Sequence, residues 1–194
     1  MFLKRSNPFQ LVVAMTSVKM GDRLLHVGCA NGPRLGAIAA KVGLSGRAVA
    51  VVPDEASSVR AQAGAADAGV LVDVLVAPPT KLPVEPADFD VVVVDDTGGL
   101  LGTASAEERV AAVREFHRVL RAGGRVVVIG AAPRGGIGAV FSRAASGPPY
   151  VASGDAVKSL QADGFPGARP LAEREGLAFV EGIKTGSPQR AQVR

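Results

Sequence analysis

The sequence has no tryptophan, one cysteine and an aromatic content of 4%. With Cys29 alone, an internal disulfide and a cysteine-based metal cluster are both excluded. So few rings leave little for stacking against bases, and no run of five basic residues occurs. The net charge of +4 and sequence pI of about 9.6 therefore read as scattered surface charge rather than a nucleic-acid footprint. No apolar stretch reaches the ~18 residues that a membrane span needs. The short run Leu11–Met15 follows Lys4 and Arg5, but it is broken by Thr16 and Ser17 and no small-x-small cleavage site follows. These features lead to the expectation of a soluble, cytoplasmic protein that binds no nucleic acid and no membrane.

The chain does have valine. Arg23–Val27, Ala48–Val52, Val70–Val76, Asp90–Asp95 and Arg125–Ile129 all read as strands, and the fourth holds four consecutive valines between acids. Runs of this kind suit strands buried on both faces of a parallel sheet. Helical spacing fills the gaps: Asn7–Val18 with Pro8 in its first turn, Pro33–Val42 stopped by Gly43, and Ala56–Ala68. Ser105-Ala106-Glu107-Glu108 is a capping box, and the helix it opens carries Val110, Val113, Phe116 and Leu120 on one face up to Gly123 and Gly124. Residues 131–153 form a long Gly-, Ala-, Ser- and Pro-rich connection with room for a short helix at Gly138–Ala145. Asp155–Ala162 is a further helix, and Ala168–Arg174 and Leu177–Lys184 flank the tight-turn pair Glu175-Gly176. Alternating strands and helices through five strands, closed by a hairpin, predict one α/β domain with a doubly wound sheet. The expected boundaries are a helical extension over 1–19, the domain over 20–185 and a flexible tail over 186–194.

Three stretches carry a resemblance to a known family. Leu24-Leu25-His26-Val27-Gly28-Cys29-Ala30-Asn31-Gly32 is similar to the strand and Gly-x-Gly-x-Gly loop of the class I S-adenosylmethionine-dependent methyltransferases. Phe116–Arg125 resembles the segment before that family's fifth strand, and the C-terminal hairpin matches its closing antiparallel pair. The resemblance implies a Rossmann-like methyltransferase fold, a seven-stranded sheet that is mostly parallel. It also implies S-adenosyl-L-methionine as cofactor and a small molecule as methyl acceptor. Small residues at 28, 30 and 32 let the backbone approach a ligand, and the following helix start offers free amides. Ligands of such sheets lie outside the carboxyl ends of the strands where strand order reverses. That gathers Gly28, Val52, Ala77 and Asp95 around one crevice, with Cys29, Asn31, Gly32, Pro53 and Pro78 beside them.

The sequence departs from the family at its acids. His26 stands where an acid orients the cofactor's ammonium, and Ala30 replaces the middle glycine. The family's ribose acid should end the second strand, where Val52 and Pro53 stand and Asp54 comes late; Pro78 falls at the adenine-contacting acid. A hydrogen bond to a charged group contributes ~1.5–3 kcal/mol, so losing two weakens binding by about a hundredfold to several thousandfold. A second expectation therefore stands beside the first: a non-catalytic binding or scaffold protein with the same fold. Asp95 and Asp96, ending the fourth strand, are the only positioned proton acceptors. A magnesium site there lacks a second acidic pair after the fifth strand, where Gly130-Ala131-Ala132-Pro133 stands, so no metal is expected. Cys29 and His117 read as packing residues; Arg134, Arg143 and Tyr150 in the long connection are the remaining substrate-facing candidates.

Overall fold

A computed structural model describes residues 8–132 and 149–186. The valine runs form one seven-stranded sheet in the order β3-β2-β1-β4-β5-β7-β6. Its strands are β1 (Arg23–Val27), β2 (Arg47–Val52), β3 (Asp73–Val76), β4 (Phe89–Asp95), β5 (Leu120–Ala131), β6 (Arg169–Arg174) and β7 (Leu177–Ile183). The first five are parallel, and β7 runs antiparallel to both β5 and β6. Glu175 and Gly176 turn the closing hairpin with φ of 55° and 74°, the positive pair that a two-residue type I′ turn requires.

The helices are α1 (Gln10–Thr16), α2 (Gly32–Ala39), α3 (Glu55–Asp67), α4 (Ala106–Val119) and α5 (Asp155–Ala162), with a 3-10 turn at Ala40–Val42. Both sheet faces are covered. Leu25, Val27, Val92 and Val94 pack towards Phe116 and Leu160 of α4 and α5. Leu24, Val91, Val93 and Val127 pack towards Val12 and Ile38 of α1 and α2. Strand order reverses between β1 and β4, so the crevice expected from the sequence opens at their carboxyl ends. No helix among the described residues is long and apolar enough to cross a membrane.

Three elements differ from the sequence reading. β3 starts at Asp73 rather than Val70, because the Val70 amide still closes the end of α3 on Ala65 O. α4 ends at Val119 instead of running to Gly123: the Lys184 ammonium binds the carbonyls of His117 and Leu120, both at 2.7 Å, and Leu120 is already extended. The paired glycines then sit in a bulge of β5, where Gly123 takes φ 77°. Finally, no helix joins β3 to β4. Residues 77–88 run as an irregular segment fastened to α4: Arg118 donates to Val84 O and Leu82 O, both at 3.0 Å, and Glu115 accepts from the Leu82 amide. The helix expected at 138–145, together with Arg134 and Arg143, lies outside the described residues.

The capping box at Ser105 forms in both directions, Glu108 N to Ser105 Oγ at 3.1 Å and Ser105 N to Glu108 Oε2 at 2.8 Å. Ser105→Ala should cost about 1 kcal/mol, read as a lower urea midpoint at unchanged slope.

Candidate functional site

The site is built on the turn from β1 into α2. Gly28 leaves β1 at φ 78°, its amide bonded to Val51 O at 2.8 Å. A Cβ there would stand 2.8 Å from the Leu100 side chain and 3.0 Å from Asp95 O, so only glycine fits. Asn31 caps α2 by accepting the Arg34 amide at 2.9 Å. Gly32 answers a different neighbour from the one its sequence suggests. A Cβ there would lie 2.2 Å from Arg60 O on α3, so this glycine serves the close crossing of α2 and α3. Ala30 lacks the positive φ that would demand glycine, and its methyl is exposed. The backbone at position 30 therefore accepts alanine without strain.

Asp95 is the buried hub. It accepts the Ala30 amide at 3.1 Å, the Arg34 guanidinium at 2.9 Å, and the Thr97 hydroxyl and amide at 2.6 and 3.2 Å. Its carboxylate is fully enclosed, and only 11% of the Arg34 side chain is exposed. Asp95 thus ties the loop to the end of β4 and has no oxygen left for proton transfer. The sequence reading missed Arg34. A cation in the first turn of a helix opposes the helix dipole, and that was the available sign of a buried anionic partner.

Asp96 differs from its neighbour. One oxygen accepts the Leu101 and Gly102 amides at 2.6 and 3.0 Å, and the other accepts nothing among the described residues. Burial pushes its carboxyl above the usual range, with the two amides pulling the other way and Asp95 adding to the rise. Tyr150, buried, stands beside it with the Arg109 guanidinium 5.4 Å from its ring centre.

His26 is enclosed in β1, and its Nδ1 donates to Gly28 O at 2.8 Å. Burial holds the imidazole below its ordinary value against the pull of Asp95, so it is neutral. Its Nε2 has no partner among the described residues. The Cys29 thiol is pushed up to about 11, first by burial and then by Asp95, which makes it a packing group beside Leu35 and Ala61. His117 meets Phe165 edge-on at 5.4 Å, away from the crevice.

At the far end, Val52 is buried in the cluster between the sheet and α3, and Pro53 is exposed. The Ala77 amide bonds Val52 O at 2.9 Å, which brings Ala77 and Pro78 alongside. Asp54 caps α3 by accepting the Ser57 amide at 2.7 Å. Arg60 closes the gap to the loop, donating to Cys29 O at 3.1 Å and Ser57 Oγ at 2.7 Å. Among the described residues no three His, Cys, Asp or Glu side chains converge as metal ligands.

An adenosyl amino acid fits one end of this crevice. The amides of Cys29 and Gly32 donate to no group among the described residues, and such donors suit a carboxylate. At the nucleoside end Val52, Pro53, Ala77 and Pro78 carry no side-chain acceptor; the carboxylates that follow are Asp54, one oxygen of which caps α3, and the exposed Glu55.

The family model for a methyltransferase domain matches residues 25–128. The fold is similar to that of a SAM-dependent methyltransferase from Aquifex aeolicus, at 18% identity and a TM-score of 0.63 over 91% of this chain and 89% of that one. It is similar to a SAM-dependent O-methyltransferase from Thermotoga maritima at 16% identity and TM-score 0.64, over 96% and 68% of the two chains. It is also similar to the [4+2]-cyclase SpnF at 18% identity and TM-score 0.67, over 92% and 81%. None of the curated proteins compared matches the chain.

Proposed function

The chain belongs to the class I S-adenosylmethionine-dependent methyltransferase family, and from that premise we propose that it transfers a methyl group to a small-molecule acceptor in the cytoplasm. The observation carrying this reading is the division of labour at the end of β4. Asp95 is spent on holding the glycine loop, whereas one carboxylate oxygen of Asp96, beside Tyr150 and Arg109, accepts nothing among the described residues.

Bound at the crevice, S-adenosyl-L-methionine supplies an electrophilic sulfonium methyl group. The loop amides of Cys29 and Gly32 would hold its carboxylate, and Leu100 lies against Gly28 to exclude water. That oxygen of Asp96 would take the proton from a hydroxyl or amine acceptor, and its raised proton affinity suits a base. Arg109 balances the carboxylate charge from the α4 side. Orientation of the acceptor accounts for most of the acceleration, since the glycine loop and Asp96 leave the ends of adjacent strands, β1 and β4, of one sheet.

A second reading, a non-catalytic binding protein, is favoured by His26, Val52 and Pro78 standing at three acid positions. The similarity to a [4+2]-cyclase adds that this fold carries other reactions. Calorimetric titration with S-adenosylmethionine and its demethylated product separates the two. A micromolar dissociation constant is expected for the enzyme, and no heat up to millimolar ligand would sink it. With methyl-labelled cofactor and a metabolite extract freed of protein and nucleic acid, label should enter the small-molecule fraction. A salt-dependent shift on RNA would instead point to a nucleic-acid acceptor.

A further inference from the structure

We infer that β3 is a pairing edge for a second copy of this chain. Two β3 strands join antiparallel about a two-fold axis at Val74, and the two sheets run on as one.

β3 closes one end of the sheet and has β2 as its neighbour on the other side. The Ala77 amide bonds Val52 O, so Asp73 and Leu75, an even number of residues away, also turn their backbone groups towards β2. The amides and carbonyls of Val72, Val74 and Val76 turn outward and meet no partner among the described residues. Apolar side chains are exposed along the same run: Leu71 at 93%, Leu75 at 37% and Val76 at 51%.

The opposite end of the sheet is a guarded edge. β6 carries Pro170, a register shift between Pro170 and Ala172, and the charges of Arg169, Glu173 and Arg174. Proline, bulges and charges are among the devices that stop an edge from pairing. β3 has no proline and an unbroken register, and Asp73 is its one charge.

The open groups specify both the occupant and the register. The Val70 amide is taken by Ala65 O, and Pro78 follows Ala77. The open run is therefore Val72 to Val76, centred on Val74. Directly opposed residues of an antiparallel pair can exchange both backbone bonds. A two-fold axis at Val74 sets Val74 opposite its own counterpart and Val72 opposite Val76 of the partner subunit. Every outward amide and carbonyl of both strands is then used. Such self-complementarity is what an isologous interface requires. Charge permits the same register. Asp73 falls opposite Leu75 of the partner subunit rather than opposite a second aspartate, and Arg47 of its own chain stands 3.6 Å from it.

Light scattering behind size-exclusion chromatography tests this on the unmodified chain. At high micromolar concentration the mass should be twice the 19.7 kDa of one chain, falling towards one copy on dilution. Val76→Pro removes an outward amide that β2 does not use, and an edge strand tolerates proline at such a position. This variant should stay at one copy at every concentration, with the circular dichroism of the parent. Register is read by mild oxidation with glutathione disulfide, in which the native Cys29 is buried. Val74→Cys lies on the axis, where opposed Cα atoms stand about 5.5 Å apart, within disulfide reach. It should cross-link two chains. Leu71→Cys is more exposed but lies about 20 Å from its counterpart at ~3.4 Å per residue, and should not. One copy at every concentration for the parent would overturn the inference, whatever else covers the edge. A dimer that survives Val76→Pro would overturn it too, as would one in which Val74→Cys does not cross-link in preference to Leu71→Cys. If Val76→Pro fails to fold, the two cysteine variants decide.

Discussion

Asp95→Ala is expected to lower stability by about 3–5 kcal/mol, the range for removing one partner of a buried ion pair. The loss has two parts. The Arg34 guanidinium, only 11% exposed as a side chain, keeps its charge with no counterion. The Ala30 amide and the Thr97 hydroxyl lose their acceptor at the same time. In a chain of this length each kcal/mol moves the melting temperature by roughly 2–4 °C. A fall of about 6–20 °C should therefore be visible by circular dichroism. Adding Arg34→Met to the Asp95→Ala protein should recover part of the fall, because the uncompensated charge is removed. A single-variant loss below about 1 kcal/mol, the scale of an exposed pair, would show that the pair is not a structural hub.

Gly64→Ala carries the second large effect, and two influences compete over its sign. Alanine is the better helix former by about 1 kcal/mol, and Gly64 lies within α3 without a positive φ. Against that, its Cβ would lie 2.1 Å from the carbonyl oxygen of Gly32 and 2.2 Å from the carbonyl carbon. Those are backbone atoms of the cofactor loop and cannot rotate away. The crossing of α2 and α3 must open, at an expected net cost of about 1–3 kcal/mol. Gly167→Ala is the matched control. Its added methyl meets nothing within 4 Å, so its effect should stay within about 0.5 kcal/mol. A Gly64→Ala protein more stable than the parent would refute the close crossing. Because the strain lands on Gly32, S-adenosylhomocysteine binding should weaken in the same variant.

The features that could be read from sequence are local ones. The β4 valine run, the Ser105 box and the Glu175-Gly176 turn each declare themselves within a few residues, and each is present where expected. Seven strands, parallel except for the closing hairpin, follow from those signals in order. The site was only half legible, because its partners are remote in the chain. Arg34 and Asp95 are 61 residues apart. Gly32 looked like a ligand-facing glycine because its neighbour on α3 cannot be inferred from spacing. The early end of α4 depends on Lys184, more than sixty residues further on. The missing helix between β3 and β4 did have a local sign. Pro78, Pro79, Pro83 and Pro86 break residues 77–88 too often for a helix to propagate.

That segment has a thermodynamic peculiarity. Twelve residues are ordered there, each at a cost of about 1–2 kcal/mol in backbone entropy, with a single turn bond, Lys81 N to Pro78 O at 3.1 Å, in place of the ladder by which a helix offsets its own ordering. Much of the compensation comes from outside. Leu82 is buried in the main core, the Glu115–Arg118 pair grips its backbone, and the Ala87 amide bonds Arg118 O. The segment is therefore held in shape largely by bonds to α4 rather than by bonds of its own. The position of Ala77 and Pro78 thus depends on the last turn of a helix on the far side of the segment that carries them.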